Sequence, residues 1–451
     1  MTPEVRFARN GEIRIAYSVV GEGPIDFLYL SAFTNLDLIW ENPLCAGFLQ
    51  SIASFSRLIL VDRRGQGVSD RLSPVDIPLV EDNVDDMIAV LDSAGSRRAV
   101  LMGSSDLGTL CTMLASSHPD RIAGLVLFAA TACGVQAPDY PWQWTDEEWS
   151  DYLADVRENW GTREFAERNL PLFGPSLVGQ PTQLACFERL VRGTASANVE
   201  LAIENVFRQA DVRSVLTAIR VPTLIMHRTD DRVEDVGGSR YMADAINGAQ
   251  FVQLEGADHL VWAGDQEPVL QEIERFVGGL GDEIADAAAN RVLATVMFTD
   301  IVDSTAHAAS VGDRRWRETK EEHDRIVRSQ VARFRGREVK TMGDGFLLTF
   351  DGPARGVLCA REICKATGDL GIDIRAGLHT GEIELEGNDI SGIAVAIGAR
   401  VGALAGPGEV YVSSTVKDLV AGSGLVFDDR GQHLLKGVPD EWRLYAAVGS
   451  A

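Results

Sequence analysis

Short apolar runs bounded by turn residues recur along the first part of the chain: Phe27–Leu30, Leu58–Val61, Ala99–Met102, Leu125–Phe128, Thr223–Met226 and Phe251–Leu254. Runs of this length, apolar at consecutive positions, predict strands buried on both faces. Between several of them the apolar positions take a helical period, as in Val80–Ser93 and Leu107–Ser117. Strand alternating with helix predicts a parallel sheet covered by helices on both sides. From about 136 to 219 the rhythm breaks and the pattern is helical throughout, with Trp142, Trp144, Trp149 and Trp160 crowded at its start. That segment predicts a helical cap inserted over the sheet. Its tryptophans either line an apolar substrate pocket or simply pack the cap.

A second pattern follows. Gly278–Gly281 closes a helix, and Asp282–Asn290 is acidic and alanine-rich, which predicts a short helical linker. From Val292 strands and helices alternate again to the end. The expected division is a first domain at 1–279, a linker at 280–291 and a second domain at 292–451. A length of 451 residues agrees, since a single core of that size is unusual. The composition, 45% hydrophobic and 24% charged, is that of a globular protein. A net charge of −24 excludes a nucleic-acid surface, which a phosphate backbone would shun, but not a nucleotide, which needs only a few local cations and a metal. Cys45, Cys111, Cys133, Cys186, Cys359 and Cys364 form no CxxC pair and read as free thiols of a reducing compartment. The opening residues hold no apolar signal core, and no run is long enough for a membrane span, so the expected location is cytoplasmic.

Two groups of residues carry chemistry. In the first domain, Ala99–Met102 leads through Gly103, Ser104, Ser105 and Asp106 into a helix beginning near Leu107. A serine at the apex of such a strand-to-helix turn holds its hydroxyl clear of the sheet. Gly103, two residues earlier, selects Ser105 over Ser104. The G-x-S-x-G pattern would place glycine at 107, where this chain has Leu107, with Gly108 one residue late. After the strand at Thr223–Met226 come Asp230 and Asp231, and after Phe251–Leu254 comes His259. Ser, Asp, His, each just past a strand end, is the chain order of the α/β-hydrolases. Residues 1 to about 279 resemble that family, including Asp62-Arg63-Arg64-Gly65-Gln66-Gly67-Val68-Ser69. The resemblance implies Ser105 as nucleophile, His259 as general base and Asp231 as its orienting acid, with Asp230 as a substitute. It also implies an oxyanion hole from the N–H groups of Phe33 and Asp106, and no cofactor. The domain is then either an esterase-type hydrolase, acting on an ester or small apolar molecule, or a sensor of such a ligand.

In the second domain the strand Ala294–Thr299 ends in Asp300, followed by Ile301 and a helix start near Ser304. An acid there can hold a cation while the helix start faces phosphate oxygens. Glu338–Met342 and Phe346–Phe350 read as a hairpin whose turn, Gly343-Asp344-Gly345, carries a second acid. Two carboxylates brought together suit divalent metals on a triphosphate. These segments, with Arg375–Gly381, Gly406–Val410 and Leu435–Val438, resemble class III nucleotidyl cyclases over 293 to 447. That resemblance implies an α+β, ferredoxin-like domain and metal ligands Asp300, Ile301 and Asp344 for two Mg²⁺ or Mn²⁺ ions. It implies Lys340 and Asp389 as readers of adenine, Arg400 at the transition state, Lys436 on the phosphates, ATP as substrate, and a homodimer whose two chains share each site. Ala396 stands where the family has a ribose-orienting asparagine or histidine. The whole reads as a hydrolase–cyclase fusion of α/β class, an adenylate cyclase under a hydrolase-like domain. The alternative is a hydrolase whose cyclase domain is weak or regulatory.

Overall fold

The structure, a computed structural model, describes residues 3–72, 79–280, 291–387 and 389–450. Most of the expected linker, 281–290, lies outside them. The chain forms two compact units, Met1–Ala288 and Ala289–Ala451.

The first unit is built on an eight-stranded sheet: β1 (Val5–Asn10), β2 (Ile13–Val20), β3 (Asp26–Leu30), β4 (Arg57–Asp62), β5 (Ala99–Ser104), β6 (Ile122–Phe128), β7 (Thr223–Arg228) and β8 (Gln250–Leu254), in the order β1-β2-β4-β3-β5-β6-β7-β8. The six apolar runs are the parallel strands β3 to β8. The hairpin β1–β2 joins antiparallel at one edge. Arg6, Arg9, Arg14 and Ser18 interrupt its apolar residues, so it forms no apolar run longer than Ile15–Tyr17. The strand order reverses at β3 and β5, where a doubly wound sheet opens a crevice at its strand ends. Between β6 and β7 four helices, Asp146–Asn159, Arg163–Phe173, Pro181–Thr194 and Ala197–Gln209, pack on the sheet's core cluster. The first starts at a reciprocal cap legible in Thr145-x-x-Glu148: Glu148 N donates to Thr145 Oγ1 at 3.3 Å and Thr145 N to Glu148 Oε2 at 2.8 Å.

The second unit contains β9 (Arg291–Ile301), β10 (Arg337–Met342), β11 (Gly345–Phe350), β12 (Ile374–Glu386), β13 (Asp389–Ser391), β14 (Val410–Ser413), β15 (Leu425–Leu434) and β16 (Glu441–Ser450). Their order is β10-β11-β9-β12-β14-β16-β15, with β13 folded back on β12. All pairings but β12 with β14 are antiparallel, which makes this unit α+β. The helix Ile393–Leu404 lies on β12 at close range: a Cβ on Gly377 would stand 1.9 Å from the amide nitrogen of Gly402. The glycine of the Arg375-Ala376-Gly377 segment is thus what lets this helix settle on the sheet. Among the described residues no helix is long and apolar enough to cross a membrane.

Candidate functional site

Ser105 has φ of +56°, in the left-handed region that an ordinary residue occupies only under constraint. Its amide donates to Phe128 O at 3.1 Å and its carbonyl accepts from Gly108 N at 3.0 Å, which fixes the bend between β5 and the helix Leu107–Ser117. Leu107 is fully buried in this turn. Close approach to the neighbouring strand end passes instead to Gly108, where a Cβ would stand 2.7 Å from Ala130 Cβ. The glycine one residue late therefore does the packing work of the missing one.

His259 Nδ1 lies 2.9 Å from Asp231 Oδ2. Asp231 Oδ1 accepts from Val233 N at 2.9 Å, so the carboxylate is held in a turn with one oxygen left for the imidazole. Asp230 is exposed, and it is Asp231 that the imidazole contacts. Burial alone would lower the imidazole pKa, but the Asp231 carboxylate, backed by Glu234 and Asp106, carries it above its usual value. Burial would likewise raise Asp231, and the charge and hydrogen bond of His259 bring it down. The loop carrying His259 is pinned by Arg228 at the end of β7. Its buried guanidinium donates to the carbonyls of Asp258 at 2.7 Å, Ala263 at 2.8 Å and Leu260 at 3.1 Å. Residue type alone gave no hint of that role.

Ser105, His259, Phe33 and Asp106 all line one cavity. The Phe33 loop is tied to β4 through Asp62, which accepts from Thr34 Oγ1 at 2.6 Å and Leu36 N at 3.2 Å. This is the structural use of the Asp62–Ser69 stretch. The four tryptophans divide. Trp144 and Trp149 line the cavity. Trp142 packs against Tyr140 and Trp160 against Phe165, so the four divide between lining the cavity and packing the cap. Sequence reasoning missed four acids on the cavity wall: the Asp106 side chain, Glu200, Glu204 and Glu234. The signal was present in Glu200 and Glu204, four apart on an otherwise apolar helical face with Ile203 and Phe207.

In the second unit, Lys340 Nζ donates to both carboxylate oxygens of Asp389, at 2.7 and 2.6 Å. The pair is half-exposed, and the lysine's hydrogen bonds hold the Asp389 carboxyl below its usual range. Arg400 Nε donates to Lys436 O at 3.1 Å, which brings those two together. Ala396 lies one turn before Arg400 on the exposed side of the helix Ile393–Leu404. Asp300, at the end of β9, accepts from Arg375 Nε at 3.1 Å, a partner the sequence did not suggest. Strand β11 pairs Phe346 with Thr299, which sets the hairpin tip bearing Asp344 beside the Asp300 end of β9. Asp344 Oδ2 is buried without a hydrogen-bond partner. An orphaned carboxylate oxygen near a second acid fits a hard divalent cation. Among the described residues no cluster of three metal-ligating side chains forms, so the two carboxylates would rely on substrate oxygens to complete a coordination sphere. No hydrogen bond or ion pair among the described residues links Asp300 or Asp344 to Lys340, Asp389 or Arg400.

The chain was compared with known proteins. Residues 38–263 match the family described as alpha/beta hydrolase fold, and residues 288–448 match the adenylate and guanylate cyclase catalytic domain. A pimeloyl-(acyl-carrier protein) methyl ester esterase of Nitrosomonas europaea is 26% identical over 265 residues, 58% of this chain and 96% of that protein. An adenylate cyclase homologue of Rhizobium meliloti is 32% identical over 133 residues, which are 28% of this chain and 22% of that longer protein. Among solved structures, the enol-lactonase from Burkholderia xenovorans aligns with a TM-score of 0.51 and 23% identity over 60% of this chain and all of its own, a likeness of fold.

Proposed function

This chain belongs to the alpha/beta hydrolase fold family and carries an adenylate and guanylate cyclase catalytic domain, and on that footing we propose that it converts ATP to cyclic AMP at sites completed by a second copy of itself. The observation that carries the reading is the Lys340–Asp389 pair. A lysine offers a donor to adenine N1, and an aspartate accepts from the exocyclic amine. Guanine presents the opposite pattern at both positions, so the pair favours ATP over GTP. Asp300 and Asp344 hold the divalent ions, which when bound neutralise phosphate charge and acidify the ribose 3′-hydroxyl. The 3′-oxygen forms a bond to the α-phosphorus while the α–β bond breaks and pyrophosphate leaves. Arg400 meets the charge that builds on the α-phosphate, and Lys436 holds the phosphate chain.

The need for a second copy is supported by the separation of the two groups within one chain. It is also supported by Met342, Ile393 and Leu404, large apolar residues exposed beside Asp344 and Arg400. The first domain contributes either ester hydrolysis through Ser105, His259 and Asp231 or recognition of a small ligand in the same cavity. The hydrogen-bonded His259–Asp231 pair favours hydrolysis. The test is to incubate the full chain with Mn²⁺ and either ATP or GTP and to assay both cyclic nucleotides. Cyclic GMP in excess of cyclic AMP, or neither product, overturns the reading.

A further inference from the structure

The helix Ala197–Gln209 lines the cavity at Ser105 with Glu200, Ile203, Glu204 and Phe207. A spacing of four puts the two carboxyl groups one turn apart on one face, where like charges repel. Asp106 and Glu234 line the same space, against a single guanidinium, that of Arg63. Glu200 is only 4% exposed and its Oε2 has no hydrogen-bond partner. Gln66 comes near it without hydrogen-bond geometry, and its own amide nitrogen is also unpartnered. Glu204 accepts from Tyr152 Oη at 3.2 Å and Glu234 from Gln143 Nε2 at 2.8 Å. Asp106, Glu204 and Glu234 keep partly accessible surface although protein encloses them, as groups facing an internal cavity do. Burial pushes Glu200 up to about 7 and Glu234 up to about 8, with Arg63 and His259 pulling the other way. The cavity thus gathers carboxyl groups whose charged forms have little protein counter-charge.

Trp144, Trp149 and Tyr152 also line the cavity. Their ring centroids lie 5.2, 5.4 and 6.2 Å apart, with planes inclined by 52° to 83°. Both indole N–H groups are spent on backbone carbonyls, Trp144 on Val233 O at 2.8 Å and Trp149 on Gly134 O at 2.9 Å. What these side chains offer a guest is therefore ring carbon, and aromatic faces attract cations. Tyr152 joins the two features, since its hydroxyl donates to Glu204.

We propose that this cavity takes an organic cation, an ammonium-bearing ester or amine whose charge is met by Glu200, Glu204 and the Trp144–Trp149–Tyr152 rings. The inference rests on the reading of the first domain as a hydrolytic or ligand-sensing site. It replaces the small apolar guest that the tryptophans alone suggested: an uncharged hydrocarbon would leave Glu200 Oε2 unpartnered, and an anion would meet four carboxyl groups with one guanidinium in support.

The test uses the full chain carrying Ser105→Ala, so that binding is read without turnover. It is titrated near pH 8 with choline and with 3,3-dimethylbutan-1-ol, which has the same shape without the charge, by calorimetry and tryptophan fluorescence. Choline is expected to bind about tenfold tighter or more, with release of protons as the carboxyl groups ionise. The preference should shrink to about threefold or less in Glu200→Gln/Glu204→Gln. Equal or tighter binding of the alcohol, no binding of choline at millimolar concentration, or a preference untouched by the two glutamines overturns the proposal. The isostere comparison stands even if the double variant does not fold. Ester turnover is measured separately on the unsubstituted chain: choline binding without Ser105-dependent cleavage of any ester refutes hydrolysis alone, whereas cleavage with no choline preference refutes the cation site alone.

Discussion

The two domains solve the problem of assembling a site in opposite ways. In the first, the proposed nucleophile, base and orienting acid come from three loops at the strand ends of one sheet within one chain: Asp231 bonds His259, and Ser105 lines the same cavity as His259. In the second, the polar groups form separate pairs, Lys340 with Asp389, Arg400 with the Lys436 carbonyl and Asp300 with Arg375, while Asp344 has an orphan oxygen. A parallel sheet draws its strand ends to one edge, so a site there is complete by topology. An open antiparallel sheet does not, and its functional groups stay spread along exposed faces until a second surface covers them. The difference teaches that the first activity should be indifferent to protein concentration and the second should not.

The most severe tests remove whole reactions. Ser105→Ala should reduce p-nitrophenyl acetate cleavage by about 10³-fold or more, with cyclic AMP formation unchanged. Asp300→Ala and Lys340→Ala should each abolish cyclic AMP formation. Mixing those two variants should restore it, because a heterodimer regains one site with both carboxylates and both base readers. Mixing Ser105→Ala with His259→Ala should restore no ester cleavage. Recovery in the second mixture, or none in the first, breaks the contrast between a self-contained site and a shared one.

A smaller loss should follow from Arg228→Met. Its guanidinium, buried and without a carboxylate of its own, ties together carbonyls of the His259 loop. Removing those donors leaves buried carbonyls unpaired, and the expected cost to the first domain is about 3–5 kcal/mol. Urea unfolding followed by tryptophan fluorescence should show an earlier transition. The cyclase rate measured below that transition should stay at its natural level, since the carbonyls that Arg228 bonds belong to the first unit. An unchanged midpoint would mean that the loop holds itself.

The next effect is a gain. Ala396 precedes Arg400 by one turn, where a longer polar side chain could orient the ribose. One missing preorganised contact of this kind typically costs about 10²-fold in turnover, about 3 kcal/mol. Ala396→Asn should therefore raise kcat by up to about 10²-fold and change KM much less. Equal kcat values would show that ribose placement does not limit this enzyme.

How far these sites were legible follows from their physics. The six parallel strands were readable because burial on both faces writes a continuous apolar run, while the β1–β2 hairpin was not, because arginines and a serine interrupt its apolar residues. Ser105, Asp231 and His259 could be singled out because turn geometry and chain order constrain such a set, and the fold brings Asp231 to His259. Leu107 looked damaging only because the sequence does not show that Gly108 meets Ala130. The cavity acids were missed because the apolar residues sharing their helical face, Ile203 and Phe207, mark burial without saying what covers it. Their burial comes from the cap folding over the sheet, and the Arg375–Asp300 pair likewise comes from strands β9 and β12 meeting across a long stretch of chain.

The smallest predicted effect returns to Asp106, whose amide is expected to face the oxyanion while its own carboxyl lies on the cavity wall. Burial raises that carboxyl's pKa, with Arg63 and His259 opposing. When ionised it disfavours the negative charge that develops on a carbonyl oxygen after attack by Ser105. Asp106→Asn keeps the amide and the side-chain shape and removes the charge. Cleavage of a neutral ester should then rise about tenfold at alkaline pH, about 1.4 kcal/mol of barrier, and the gain should vanish on acidification as the natural carboxyl takes up its proton. The same charge helps hold the His259 pKa above 6.5. Because the base must be neutral to accept a proton, hydrolysis falls as pH drops through that raised value, and in Asp106→Asn this acid limb should move to lower pH. A profile of kcat/KM against pH for the two proteins reads both effects at once. A slower variant would show that the carboxyl acts protonated, as a donor to the oxyanion. An acid limb that does not move would remove Asp106 from the set of charges acting on the imidazole.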